Sequence, residues 1–173
     1  MLENMAVGSV CPNFTLKDNS GEHWRLDEHA GSVVVLLFYP GNETMVCTKQ
    51  LCSLRDHWEK YLDTKADIVG ISPAYPENHD VFARKYRLPI PLLADPERVV
   101  TRRLAKHWFY PISFTRAIVV VDAKGIIRER EIMLRAFRPE DESLITAIYA
   151  ARGDAAVEKY SQMRAHIRTI LLR

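Results

Sequence analysis

Two cysteines five positions apart, Cys47 and Cys52, are the side chains best suited to chemistry, and they follow a distinctive stretch. Val33 to Tyr39 is a run of apolar residues without a polar break, which reads as a strand buried on both faces of a sheet sandwiched by helices. Pro40 stops the run, and Gly41, Asn42, Glu43 and Thr44 read as a turn. Cys47 then opens a helix to about Thr64, in which Leu51, Leu54, Trp58 and Tyr61 recur at helical spacing. A thiol in a helix's first turn meets unsatisfied N–H groups and the positive end of the dipole, both of which favour a thiolate. The competing reading makes Cys47 a small buried hydrophobe, the ordinary fate of a free cysteine. A cation brought in from elsewhere in the chain would decide for reactivity.

The elements that must position these sulfurs follow from the rest of the chain. At 173 residues the chain is long enough for one domain with a real core, assigned here to residues 1–153 with a helical extension over 154–173. Its 24 basic and 22 acidic residues are interspersed, so no basic stripe points to nucleic acid. No run approaches a membrane span, and the first ten residues lack the basic and apolar parts of a signal peptide. Three cysteines, an odd count, argue for a reducing compartment, with the cytoplasm as the default.

In order, Phe14–Leu16 reads as a short strand, with Asp18–Gly21 a turn and His23–Leu26 its partner. Asp67–Ser72 is a second buried strand, and Glu77 to about Arg87 a helix after Pro73 and Pro76. Leu88–Leu93, with two prolines, reads as an extended connection. Asp95-Pro96 then caps and starts a helix that fades near His107. An aromatic loop, Trp108–Pro111, leads to Arg116 and the strand Ala117–Val121. Asp122–Gly125 is a tight turn, and Ile126–Ile132 pairs back as a hairpin. Pro139 opens a helix to about Ala151, stopped by Gly153. Asp154 caps an extra C-terminal helix whose stripe Tyr160, Met163, Ile167 and Ile170 needs a partner surface. Strands alternating with helices, then a hairpin and a helix, predict an α/β fold with a central mixed sheet and helices on both faces, as in the thioredoxin fold.

Pro40-x-x-x-Thr44-x-x-Cys47 resembles the signature of the peroxiredoxins, the cysteine-based peroxidases. The run from Cys47 through Cys52 to Asp56 is similar to their bacterioferritin-comigratory, or Q-type, subfamily. Gly70–Pro73, His79–Tyr86, Pro91–Asp95 and Arg116 ahead of Asp122–Gly125 extend the likeness over roughly residues 6–150. Met45 and Val46 stand where that subfamily usually has proline and often glycine, which should loosen the loop.

The resemblance implies that Cys47 attacks a hydroperoxide and becomes a sulfenic acid. It assigns the peroxide's donors to the Cys47 N–H, the Thr44 hydroxyl and Arg116, and gives Pro40 the task of shielding the sulfur. It makes Cys52 the resolving cysteine and a thioredoxin-like dithiol protein the reductant, with no cofactor or metal. The assembly expected is a monomer or weak homodimer. Taken singly, Thr44 reads equally as a helix cap, Pro40 as a strand stop and Arg116 as a surface charge. Five residues of helix hold the two Cα atoms about 8.6 Å apart, beyond the roughly 7 Å a disulfide allows. Bonding would thus require unwinding of about two turns, Cys47 to Leu54. Cys11 reads as a small apolar residue, His79 as a satisfied or surface histidine, and His57 as too distant along the helix to act as a base. The rival readings are a thiol–disulfide oxidoreductase of the same fold and an inactive binding or scaffold relative.

Overall fold

The computed structural model describes residues 5–42, 44–107, 109, 111–112, 115–134 and 140–153. The extra helix expected over 154–173, its start at Asp154, the helix opening at Pro139, and Trp108 and Tyr110 of the aromatic loop lie outside the described residues.

The apolar run forms β3 (Val34–Phe38), the strand around which the sheet is built. Before it come β1 (Thr15–Lys17) and β2 (His23–Arg25), and after it β4 (Asp67–Ser72), β5 (Leu92–Ala94), β6 (Thr115–Val121) and β7 (Ile127–Leu134). The strands lie in the order β2-β1-β5-β4-β3-β6-β7. β3 pairs parallel to β4 and antiparallel to β6, so the sheet is mixed, as the element order implies. The helices are α1 (Met45–Asp56), α2 (Trp58–Asp63), α3 (Pro76–Tyr86), α4 (Val99–Leu104) and α5 (Asp141–Arg152).

Side-chain alternation along β3 separates two cores. Val35, Leu37 and Tyr39 pack with Leu51, Leu54 and Tyr61 of α1 and α2, Phe82 of α3, and Leu144 and Ile148 of α5. Val34, Leu36 and Phe38 face the opposite side, with Val100 and Leu104 of α4. Both faces of β3 are therefore dry, which is why its sequence shows no alternation. Burying Leu51 and Leu54 contributes roughly 1.5–3 kcal/mol each and fastens α1 to the sheet.

Several boundaries differ from expectation. The helix expected from Cys47 to Thr64 begins two residues earlier and breaks at His57 (φ −109°, ψ 22°) into α1 and α2. Trp58 thus lies on α2, not on the cysteine helix. The stripe disguised the break because both helices press the same side on the core. Leu88–Leu93 is not merely a connection: Leu92 and Leu93 begin β5, paired parallel with Gly70 and Ile71. Pro96 lies outside α4. Asp95 accepts from the N–H groups of Val99 and Thr101 at 2.8 Å each, across a turn in which Arg98 adopts a left-handed conformation. Arg116 belongs to β6 itself, and β7 runs to Leu134. Gly153, at φ 78°, ends α5 as expected.

Candidate active site

The site assembles where β3 ends. Antiparallel pairing sets Phe38 opposite Ala117, so the next residue outward on β6, Arg116, lies at the level of Tyr39 and Pro40. Alternation sends Ile118 and Val120 toward α1, and Arg116 shares their side. A guanidinium is thereby carried under the start of the cysteine helix. Arg116 is fully buried, which excludes the surface-charge reading.

Cys47 is also fully buried, and Arg116 Nη2 donates to its Sγ at 3.0 Å. A second arm, Nη1, donates to the Gln50 carbonyl oxygen Oε1. Nε is buried with no partner among the described residues. Charged donors on a sulfur stabilise negative charge there more strongly than neutral ones. A guanidinium does so without a proton to lose at working pH. Gln50 escaped the sequence reading, although a signal existed. It lies three residues after Cys47, on the stripe side of α1, and a polar side chain at such a position needs a buried partner.

Thr44 is the N-cap of α1, and its Oγ1 accepts from the Cys47 N–H at 3.3 Å. That N–H, expected to face a peroxide, is engaged here, though by a long bond that yields readily. The Thr44 hydroxyl retains its own proton to donate, and the residue is exposed to incoming molecules. Pro40 is half-buried between the strand end and this turn. Met45 is 74% exposed. The structure therefore brings Pro40, Thr44, Cys47 and Arg116 into one neighbourhood. Cys52 is separate, half-exposed, free, and about 1.4 helical turns further along α1.

A second polar group backs the turn. Tyr39 Oη donates to Asn42 Oδ1 at 3.0 Å and lies 3.3 Å from His79 Nδ1, while His79 Nε2 lies 3.1 Å from Ser72 Oγ. Burial lowers the His79 pKa to about 4, so the ring is neutral at working pH. Burial pushes the Tyr39 phenol well above its ordinary range. The satisfied-histidine reading of His79 holds, in the core and not on the surface. Gly70 of β4 makes room for the Tyr39 ring: a Cβ there would meet Tyr39 Cε1 at 3.1 Å and Leu92 Cδ2 at 2.8 Å. Cys11 is buried and distant in the fold, near Gly125 and β7. Among the described residues no cluster of three or more His, Cys, Asp or Glu side chains is placed to hold a metal. None of their helices is long and apolar enough to cross a membrane.

Comparison with known proteins identifies the family. Residues 7–130 match the AhpC/TSA family. The chloroplastic peroxiredoxin Q of Triticum aestivum is 42% identical over 141 residues, covering 79% of this chain and 62% of the wheat protein. That of Sedum lineare is 39% identical over 145 residues, 79% of this chain and 75% of its own length. The chain spans less than two thirds of the length of the wheat relative and of the peroxiredoxin Q of Populus jackii. The crystal structure of the peroxidoxin BcpB from Mycobacterium tuberculosis aligns with a TM-score of 0.72 at 26% identity, over 86% of this chain and 99% of that one. The chain belongs to the AhpC/TSA family, in its peroxiredoxin Q branch.

Proposed function

We propose that the protein is a thiol-dependent peroxidase that reduces hydrogen peroxide and organic hydroperoxides, with Cys47 as its nucleophile. The observation that carries this reading is the 3.0 Å contact between Arg116 Nη2 and Cys47 Sγ inside a dry site. A buried arginine directed at a sulfur has no structural purpose that an apolar residue would not serve better. The Cys47 thiolate attacks one peroxide oxygen. The O–O bond breaks as the S–O bond forms, and the departing alkoxide or hydroxide takes up a proton and leaves as alcohol or water. Charge gathers on that oxygen in the transition state, where preorganised donors count most. The Arg116 guanidinium, the Thr44 hydroxyl and the Cys47 N–H, once its long bond to Thr44 yields, are the donors available to it. Pro40 limits water at the sulfur.

Cys52 then acts as the resolving thiol. Its thiolate attacks the Cys47 sulfur, an S–S bond replaces the S–O bond, and the departing hydroxide takes up the proton that Cys52 gave up and leaves as water. A thioredoxin-like dithiol protein reduces the disulfide. Both rivals are less well supported: an oxidoreductase acting on protein disulfides does not need Thr44 and Arg116 around the sulfur, and a scaffold does not need a buried arginine there. An odd count of three cysteines suits a reducing compartment such as the cytoplasm, although the plant relatives are named as chloroplastic. We assign a monomer or weak homodimer.

Hydroperoxide-dependent oxidation of reduced thioredoxin, with wild type and Cys47→Ser compared, tests the reading. Turnover by wild type alone is expected. Full turnover by Cys47→Ser would refute it.

A further inference from the structure

Helix α1 is held very differently on the two sides of Cys52. Ahead of it, Met45, Thr48 and Lys49 are exposed or half-exposed, and polar fixation comes from the Thr44 cap and from one side chain, Arg116, which holds Gln50 and the Cys47 sulfur that oxidation itself changes. Immediately after it the polar anchoring becomes dense. Ser53 Oγ donates to Asp141 Oδ2 at 2.5 Å, and Tyr61 Oη of α2 donates to Asp141 Oδ1 at 2.6 Å. His57, at the break between α1 and α2, places Nδ1 3.0 Å from the Ser53 carbonyl and 3.3 Å from Asp141 Oδ2. Arg55 Nη1 donates to the Tyr86 carbonyl at 2.6 Å, tying the same turn to α3. Leu54 is buried in the core. One carboxylate, at the first residue of α5, thus fastens three residues that flank the helix break on its two sides.

We infer that Asp141 is a positioning residue for disulfide formation, clamping the helix from Ser53 onward so that unwinding stops at Cys52 and the Cys47 segment moves to a nearly stationary Cys52. This rests on the peroxidase reading above. Local opening follows the segment whose anchors oxidation disturbs, here the Arg116 bond to the Cys47 sulfur, and it ends where anchors remote from that sulfur, the Asp141 carboxylate's bonds, begin. The segment that melts is Met45 to Cys52, shorter at its far end than helix geometry alone suggests. The step itself is the resolution already described: Cys52 sulfur bonds to Cys47 sulfur, and the sulfenic oxygen leaves as water.

The test compares wild type, Asp141→Asn, and the milder Ser53→Ala and Tyr61→Phe in the full chain. Peroxide is added at one equivalent, sulfenic acid and disulfide formation are timed separately, and amide exchange is read on both redox forms. Sulfenic acid formation should be unchanged in all variants. In wild-type disulfide, faster exchange should stop at Cys52. In Asp141→Asn it should spread to His57, by at least about tenfold, as loss of a charge-assisted anchor implies, with an altered resolution rate. Ser53→Ala and Tyr61→Phe should show the same spread in smaller degree. A wild-type disulfide already open through His57, or variants with an unmoved boundary, would overturn the clamp while leaving the peroxidase intact. Absence of any Cys47–Cys52 bond would overturn the resolution reading, and the clamp with it.

Discussion

Cys11 and Cys47 are both buried, yet their surroundings differ in kind. Cys11 sits beside Pro12, with Trp24, Leu26 and Val34 in the same apolar cluster. The polar contact of its thiol is a weak one, 3.9 Å to the Pro12 carbonyl. Burial pushes that thiol up to about 11, against a smaller opposing pull from Arg103. Cys47 is buried just as deeply, in the first turn of a helix, with the Arg116 guanidinium at 3.0 Å. Burial by itself silences a thiol, because a sulfur anion loses its hydration and gains nothing in exchange. Burial together with a permanently charged donor keeps water out and leaves the anion a partner. Two things separate the sites: the helix N-terminus that holds Cys47, and a guanidinium delivered from β6.

Removing the sulfur on each side tests that contrast most severely. Cys47→Ser should bring peroxide consumption down to the uncatalysed background, whereas Cys11→Ser should keep wild-type turnover in the thioredoxin-coupled assay. Next in size is the charge. Arg116→Ala removes a charge-assisted bond worth about 1.5–3 kcal/mol, so pre-steady-state oxidation of Cys47 should slow by roughly 10- to 100-fold. Arg116→Lys should recover only part of that, since an ammonium cannot reach Cys47 and Gln50 together in the planar geometry of the guanidinium. Gln50→Ala leaves the cation but frees one of its arms, and a neutral acceptor's share of about 0.5–1.5 kcal/mol predicts a roughly 3- to 10-fold slower reaction. A rate equal to wild type would mean that Gln50 only fills space.

The smallest effect at neutral pH belongs to Cys11, and it emerges in alkali. Its thiol ionises near 9 when unfolded and near 11 in the native protein. Between those values the native state holds a proton that the unfolded state has released, so stability is complete below pH 9 and falls as pH rises through 11. The full loss is roughly 2–3 kcal/mol. Urea unfolding of wild type and Cys11→Ala across this range should show a shallower decline for the variant. Parallel curves would contradict the account of Cys11 as a thiol silenced by burial.

How much of this the sequence disclosed depended on distance along the chain. The β3 run and the position of Cys47 in the helix after it were legible because both signals are local, an unbroken apolar stretch and a turn followed by a stripe. Arg116 carried no local signal at all. Only the family resemblance singled it out, because its burial arises from β3–β6 pairing across dozens of intervening residues. The break at His57 was hidden, since Leu54 and Tyr61 keep the same face on either side of it. β5 was hidden by its prolines: Pro91 precedes the strand and contributes its carbonyl to the Gly70 N–H, which a proline does as well as any residue. Asp141 carries no sequence signal beyond its place at the start of a helix. Its hold on Ser53 and Tyr61 joins residues 80 or more positions apart, a relation no periodicity records.

The central claim is that the buried cysteine with the arginine, and not the buried cysteine without one, meets the peroxide. Site-resolved mass spectrometry on Cys52→Ser protein tests it directly, after brief exposure to one equivalent of hydrogen peroxide and trapping of sulfenic acids. The account predicts a single added oxygen on Cys47 in nearly every molecule, with Cys11 still a free thiol. Oxygen on Cys11 at a comparable rate, or no modification of Cys47, would contradict it.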